Sequence, residues 1–300
     1  MVNLIGEYNV GGETAVIKDL LQKIGIKVHV SLTGEASWSL VESMSQARLN
    51  LLFCGATAES FCRKMEETFG IPYIRVSFYG LKAIADSLRK IGAFFKLPKK
   101  RVEEVIARGE QMALEKILPW RREFTGKKAV IVLGAYRLGP QGRMLHELGL
   151  EVELAASIFG RQEDHYEAQH LADIVTDNPG DEELEKALWV LSPDVVLTNA
   201  REQWRPVKLG IPVLSFPQPK ERGPYAGYVG LVNFARDLYR CLRARYGNYN
   251  AKNHYRYTPA EDPSSAYVDR ENELHHFLAF KTENFTFKTP LMLKTIISYF

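Results

Sequence analysis

The stretch LNLLFC, residues 49–54, ends a short apolar run on a cysteine, and GATAESFCRK then brings a small-residue turn and a helical pattern. A thiol between a strand end and a helix start lies among backbone N–H dipoles. Those dipoles favour the thiolate, which is the form that ligates metal. Cys54 is therefore the first candidate ligand of the chain. The alternative is a buried structural thiol, a common role for free cysteine. Cys62 follows eight residues later, inside the same helical pattern. A helix rises about 1.5 Å per residue, so these two thiols are poorly placed to share one metal ion. Cys62 and Cys241 read as small buried hydrophobes.

Two glycine-bearing turns could meet a ligand. In VLGAYRLGPQGR, residues 132–143, Gly134 would let the backbone approach closely, and Arg137 would project a fixed positive charge from the same turn. An arginine there can pair with a carboxylate, a phosphate or an anionic cluster; a solvated surface arginine is the competing reading. In LIGEYNVGGETAVIKDLL a strand runs through paired glycines into a helix, which resembles a phosphate cradle. It has neither the GxGxxG spacing nor the GK[ST] of a P-loop, so a plain strand–helix turn is favoured over a nucleotide site. His165 and His170, or the adjacent His275 and His276, match no compact zinc pattern. No Ser-His-Asp or paired-carboxylate arrangement stands out.

The elements that must hold these turns are legible from periodicity. Residues 2–8, 28–32, 49–53 and 73–78 read as short, nearly continuous apolar strands. Residues 14–24, 38–45, 59–69 and 81–96 carry apolar positions at helical spacing, and a long amphipathic helix is expected over 99–118. Apolar strands alternating with helices predict a parallel sheet covered on both faces. The stretch PWRREFTGKK, residues 119–128, is the expected domain boundary. A second cycle follows, with a strand, the turn at Gly134, a helix and another strand. Helices near 163–172, 182–191 and 228–246 and strands at 195–198 and 213–216 complete it. The expected fold is thus α/β, two consecutive doubly wound, Rossmann-like parallel-sheet domains. Their spans are 1–125, carrying Cys54, and 126–247, carrying Arg137 and a 201–226 loop; 248–300 reads as an irregular extension. Sheets of this kind bind ligands beyond the carboxyl ends of their strands, where the candidate turns lie.

Bulk composition excludes several classes. Of 300 residues 46% are hydrophobic, enough for a real core, and the net charge of +3 is close to balance. No Lys/Arg block interleaves with aromatics; KLPKKR, residues 96–101, reads as a solvated helix start, so nucleic acid is a poor partner. No apolar run approaches the roughly 20 residues of a membrane helix, and MVNLIGEYNV has no basic leader or cleavage site. Three irregularly spaced cysteines suit a reducing, cytoplasmic setting rather than a disulfide framework.

Several separated stretches, in order from residue 2 to about residue 245, carry a more specific signal. LIGEYNVGGE, LNLLFC, KMEETFGIPYIRVSFYGLKAIADSLRKI, SPDVVLTN, KLGIPVLSF and GPYAGYVGLVNFARDL together resemble the nitrogenase component 1 family. That family holds the catalytic α and β subunits and the paired scaffold proteins of cofactor assembly. The resemblance implies that Cys54 stands where α-type subunits bind a terminal iron of the iron–molybdenum cofactor. It likewise implies that Gly134, Ala135 and Arg137 match the glycine-rich turn near that cofactor. Arg201 matches a lysine near the cofactor's homocitrate.

The departures are as informative. The catalytic subunits place a histidine, the molybdenum ligand, five residues after the proline of GIP; here that position is Pro217. The histidine of their PYHG is Ala226 here. Keeping the thiolate while losing the imidazole implies a protein that holds a cofactor precursor and later releases it. The stretches IGEYN and PYAGYVGLVNFAR also resemble the α-like, NifE-type scaffold subunit more than the catalytic one. The cargo so implied is an iron–sulfur cluster or an iron–molybdenum (or iron–vanadium) cofactor precursor on a single cysteine. The implied partners are a β-like, NifN-type paralogue in a hetero-oligomer and, transiently, an ATP-hydrolysing iron protein. Family members carry second-cluster cysteines in an N-terminal domain, and none precedes residue 2 here, so the chain reads as truncated. The α subunit of a nitrogenase-like oxidoreductase, or a fragment that has lost cluster binding, are the alternatives.

Overall fold

A computed structural model describes residues 1–158, 168–199, 201–216, 222–244 and 285–287 of the chain. It divides into two compact units: Met1–Arg122 with Pro217–Asp237, and Glu123–Phe216 with Leu238–Phe300.

The first unit is built on four parallel strands, β1 (Val2–Glu7), β2 (Val28–Thr33), β3 (Leu49–Leu52) and β4 (Tyr73–Arg75), in the order β2-β1-β3-β4. Every residue of β1 and of β3 is buried, which explains their unbroken apolar character. The exceptions are Glu7, at the end of β1, and Asn3 and Asn50, neighbours across β1 and β3. The two asparagines satisfy each other in part, the Asn3 amide donating to Asn50 Oδ1 at 2.8 Å and to the Met44 carbonyl at 3.0 Å. Helices α1 (Glu13–Lys23) and α3 (Gly55–Phe69) return the chain to β2 and β4, and the short α2 (Trp38–Glu42) follows β2. Ile5, Val30, Leu52, Cys62 and Met65 form one core cluster. Helices α4 (Leu81–Phe94) and α5 (Lys99–Ile117) extend the unit, and a short α6 (Arg121–Phe124) ends it. In this sheet the chain leaves β1 toward β2 on one side and β3 on the other. The carboxyl ends of β1 and β3 therefore flank a topological switch point.

The second unit starts with β5 (Lys128–Gly134), α7 (Ala135–Leu148) and β6 (Glu151–Ile158). It continues through β7 (Ala172–Asp177), α8 (Asp181–Leu191), β8 (Val195–Asn199), α9 (Trp204–Lys208) and β9 (Val213–Phe216). Five strands of its sheet run β7-β6-β5-β8-β9, parallel to one another, so β5 and β8 flank a second switch point. Val130, Val132, Leu154, Leu184, Leu188 and Val196 make its core. Helix α10 (Gly227–Arg243) begins in the first unit. There the Gly227 N–H donates to the Phe78 carbonyl at 2.7 Å, and the Tyr228 ring lies against Gly109 of α5.

Local differences from expectation have local causes. Helix α3 begins at Gly55, earlier than the apolar spacing suggested, because Cys54 itself is the N-cap. The pattern over 38–45 splits into α2 and a single 3₁₀ turn, Met44–Gln46. The Ser43 hydroxyl donates to the Leu40 carbonyl there, competing with helix continuation. The strand expected to reach residue 78 stops at Arg75, and Ser77 exchanges both backbone groups with the Ser87 hydroxyl instead. Within 248–300, residues Phe285–Phe287 form β10, antiparallel to β7. Most of the helix expected over 163–172, and the Gly247 end of the last helix, lie outside the described residues.

Candidate functional site

Cys54 sits two residues beyond β3 with extended backbone angles (φ −110°, ψ 105°), and its carbonyl accepts the first helical bond of α3, from Ala58 N at 3.1 Å. It is 4% exposed, and its side chain caps nothing. The neighbouring strand approaches it closely. Gly6 has φ +80°, and a Cβ there would stand 3.1 Å from Cys54 N and 3.2 Å from Cys54 Cβ. Only glycine suits both that backbone and that distance.

The residue after β1, Tyr8, places its hydroxyl 2.5 Å from Thr57 Oγ1 in the first turn of α3. Its phenol is held above the usual tyrosine range, mainly by burial. Thr57 opposes that shift, and the nearby Cys54 adds to it. On the other side, Arg75 lies over the start of α3, its Nη2 3.2 Å from where a Gly55 Cβ would be. Glu59 accepts from Arg75 at 2.8 Å. Burial alone would raise the Glu59 carboxyl, but Arg75, Arg63 and Tyr73 hold it below the usual range. Phe53 and Phe78 stack at 5.9 Å, and Tyr79 donates to the buried Glu7 carboxylate at 3.3 Å.

Cys62 is fully buried, and burial, aided by the charges of Glu59 and Glu66, pushes its thiol up to about 12. It stays protonated and makes no thiolate ligand. Iodoacetamide at mildly alkaline pH should leave Cys62 unmodified in the folded chain and label it in urea; rapid labelling of native Cys62, read by peptide mass, would contradict this.

In the paired-glycine turn two backbone amides are already bonded to side chains. Gly11 N donates to Glu13 Oε2 at 2.7 Å, and Asn9 Oδ1 accepts from Thr14 N at 3.0 Å. The buried Glu13 carboxylate thus occupies the place an anion would take.

In the second unit Gly134 is the N-cap of α7 and Ala135 its first residue. Gly134 has φ −59°, so its backbone does not demand glycine. Among the described residues, the Ile158 carbonyl oxygen, at 3.9 Å, is the only atom that a Cβ there would meet. Arg137 is half-buried, its guanidinium carbon 5.7 Å from the Tyr136 ring centre and 5.9 Å from that of Phe216. Arg201 follows β8 in a turn organised by Asn199, whose Oδ1 accepts from the N–H groups of Arg201 and Glu202. Its side chain is 90% exposed. Gly134, Ala135, Arg137 and Arg201 therefore belong to the carboxyl ends of adjacent strands β5 and β8, while Cys54 belongs to the β1–β3 switch point of the first unit. Pro217 lies outside the described residues; Ala226 is fully buried. Gly6, Tyr8 and Thr57 were missed by sequence reasoning. The only signal for them was position, a tyrosine just past one strand end and a hydroxyl in the first turn after another. No group of three or more His, Cys, Asp or Glu side chains able to hold a metal ion occurs among the described residues.

Two doubly wound units with candidate residues at their switch points define an α/β protein of the doubly wound class. Residues 1–243 match the model of the family described as nitrogenase component 1 type oxidoreductase, and the chain belongs to that family. It is 35% identical to the nitrogenase molybdenum-iron protein alpha chain of Methanothermococcus thermolithotrophicus, over 80% of this chain and 52% of the relative. It is also 35% identical to the nitrogenase iron-molybdenum cofactor biosynthesis protein NifE of Nostoc sp., over 80% of this chain and 51% of that protein. A solved structure, nitrogenase Cp1 at pH 5, superposes with a TM-score of 0.74 at 26% identity, covering 81% of this chain and 56% of the other. The chain thus spans about half the length of the curated relatives it matches. Among the described residues no helix is long and apolar enough to cross a membrane.

Proposed function

We propose that this chain is a scaffold subunit for assembly of an iron–molybdenum or iron–vanadium cofactor, holding an iron–sulfur precursor through Cys54 alone. The observation that carries the reading is the Cys54 thiol, set as N-cap of α3 at a switch point. A single thiolate suits cargo that brings its other ligands with it, and one covalent anchor leaves exchange feasible. Alanine at 226, where the catalytic subunits resembled here have histidine, supports temporary rather than permanent binding. For the second unit we propose that Gly134, Ala135, Arg137 and Arg201 contact anionic cargo, through backbone approach and guanidinium charge. A β-like paralogue and an ATP-hydrolysing iron protein are the proposed partners. Isolated without oxygen together with its β-like partner, the chain should carry iron and a cluster absorbance band that Cys54→Ala abolishes. Unchanged iron and spectrum in Cys54→Ala would sink the proposal.

Equal identity to an alpha chain favours one second reading, the α subunit of a nitrogenase-like oxidoreductase. Reductive turnover by the cluster-loaded complex with a matching iron protein would favour that reading over the scaffold.

A further inference from the structure

The first unit gathers positive charge that the sequence spreads over three segments. Val2 of β1 pairs with Val28 of β2 and with Leu49 of β3, so Lys27 and Arg48 stand just before neighbouring strand starts, at the amino edge of the sheet. The turn between α4 and α5 reaches the same edge. There the Arg48 guanidinium carbon lies 5.2 Å from the centre of the Phe95 ring, and Arg101 Nε donates to the Lys23 carbonyl at 3.1 Å. Lys96 lies in that turn, and Lys99 and Lys100 open α5. Lys27, Arg48, Lys96, Lys99, Lys100 and Arg101 are all exposed, and none has an ion pair among the described residues. The nearby acids do not neutralise them. Asp19 is held by Lys23 and Glu103 by Arg89, and Glu104 pairs with none of the six. The stretch KLPKKR alone reads as a solvated helix start; Lys27 and Arg48 make it part of a patch.

One member of the patch is kept at a cost. Lys96 has φ +53° at the left-handed position that ends α4, where its N–H donates to the Ala93 carbonyl and the Leu97 N–H donates to the Gly92 carbonyl. Glycine is the residue that suits this helix end. A lysine there carries backbone strain, of the kind retained at functional positions.

We propose that the amino edge of the first sheet is a docking site for an acidic peptide segment of a partner protein. Uncompensated cations grouped in this way attract carboxylates and steer their approach. The edge lies at the opposite end of the strands from Cys54, so a partner docked there leaves their carboxyl ends open. Charge favours a peptide over nucleic acid. The whole chain has an excess of only three positive charges, so outside these six cations it is net negative and repels a long polyanion. Arg48 also covers a face of Phe95 on which a base would otherwise stack.

The test titrates the full chain with fluorescein-labelled hexaglutamate at low salt and follows anisotropy. The parent should bind, and added salt should weaken the binding. Lys96→Gly should bind about threefold more weakly and yet melt higher, because it removes one charge and the backbone strain together. These opposite shifts separate a lost contact from a damaged fold. Arg48→Gln should weaken binding by a similar factor. Lys116→Gln, at the far end of α5, loses the same charge and should bind as the parent does. No binding by the parent, unchanged affinity in Lys96→Gly and Arg48→Gln, or equal weakening by Lys116→Gln overturns the inference. Tighter binding of a single-stranded DNA of equal charge also overturns it, in favour of a nucleic-acid site.

Discussion

Gly230→Ala should lower the stability of the chain by about 3 kcal/mol, even though glycine to alanine in a helix ordinarily gains about 1 kcal/mol. The sign is reversed by backbone contact. A Cβ on Gly230 would stand 2.2 Å from the Tyr225 carbonyl carbon and 2.3 Å from its oxygen. Tyr225 cannot withdraw. It is fully buried, its hydroxyl donates to Asp237 Oδ2 at 2.9 Å, and its ring meets Phe234 edge-on at 5.4 Å. Asn233 holds the same turn through the Pro224 carbonyl at 3.0 Å. Relief would require giving up one of these contacts or shifting the start of α10. A urea midpoint well below the parent's, with the slope unchanged, is the expected result. Stability equal to the parent's or above it would mean that helix propensity outweighs the contact.

Gly6→Ala should have the second-largest effect, on stability and on the site together. Its φ of +80° alone costs an alanine about 1–2 kcal/mol. The added methyl would also press on Cys54 N and Cβ and, at 3.3 Å, on Ala58 Cβ, displacing the thiol that β1 now lies beside. Gly70→Ala separates the two costs. Gly70 has φ +66° but nothing within 4 Å, so that variant bears the backbone strain and leaves Cys54 untouched. Both variants should melt earlier than the parent, and only Gly6→Ala should also lose bound iron. Equal iron in the two would show that the close approach of β1 does not position the anchor.

Much of the frame was legible because it rests on local pattern. Residues 2–7 and 49–52 read as continuous apolar strands because both faces are covered, and that burial is what a parallel sheet imposes on a sequence. Cys54 could be located at a strand-to-helix junction for the same reason. The start of α3 was harder, because Gly55, Ala56 and Thr57 have no apolar periodicity and Cys54 bonds as N-cap through its backbone alone. The partners of Cys54 were not legible at all. Gly6 reaches Cys54, and Tyr8 reaches Thr57, only after two strands distant in sequence pair in register, and nothing in the order GEY announces a left-handed glycine or a hydroxyl pair. The tie of α10 to the first unit was hidden likewise. It depends on Gly109, a helix-interior glycine whose purpose is evident only beneath the Tyr228 ring, where a Cβ would lie 2.2 Å from two ring carbons.

The central claim, that Cys54 is the single covalent anchor of an iron–sulfur cargo, is tested most directly by iron-edge anomalous diffraction. The crystals would be of the anaerobically isolated chain with its β-like partner. A cluster-sized iron peak bonded to the Cys54 sulfur, and to no other side chain of this chain, is the predicted result. Iron held elsewhere with Cys54 uncoordinated would contradict it.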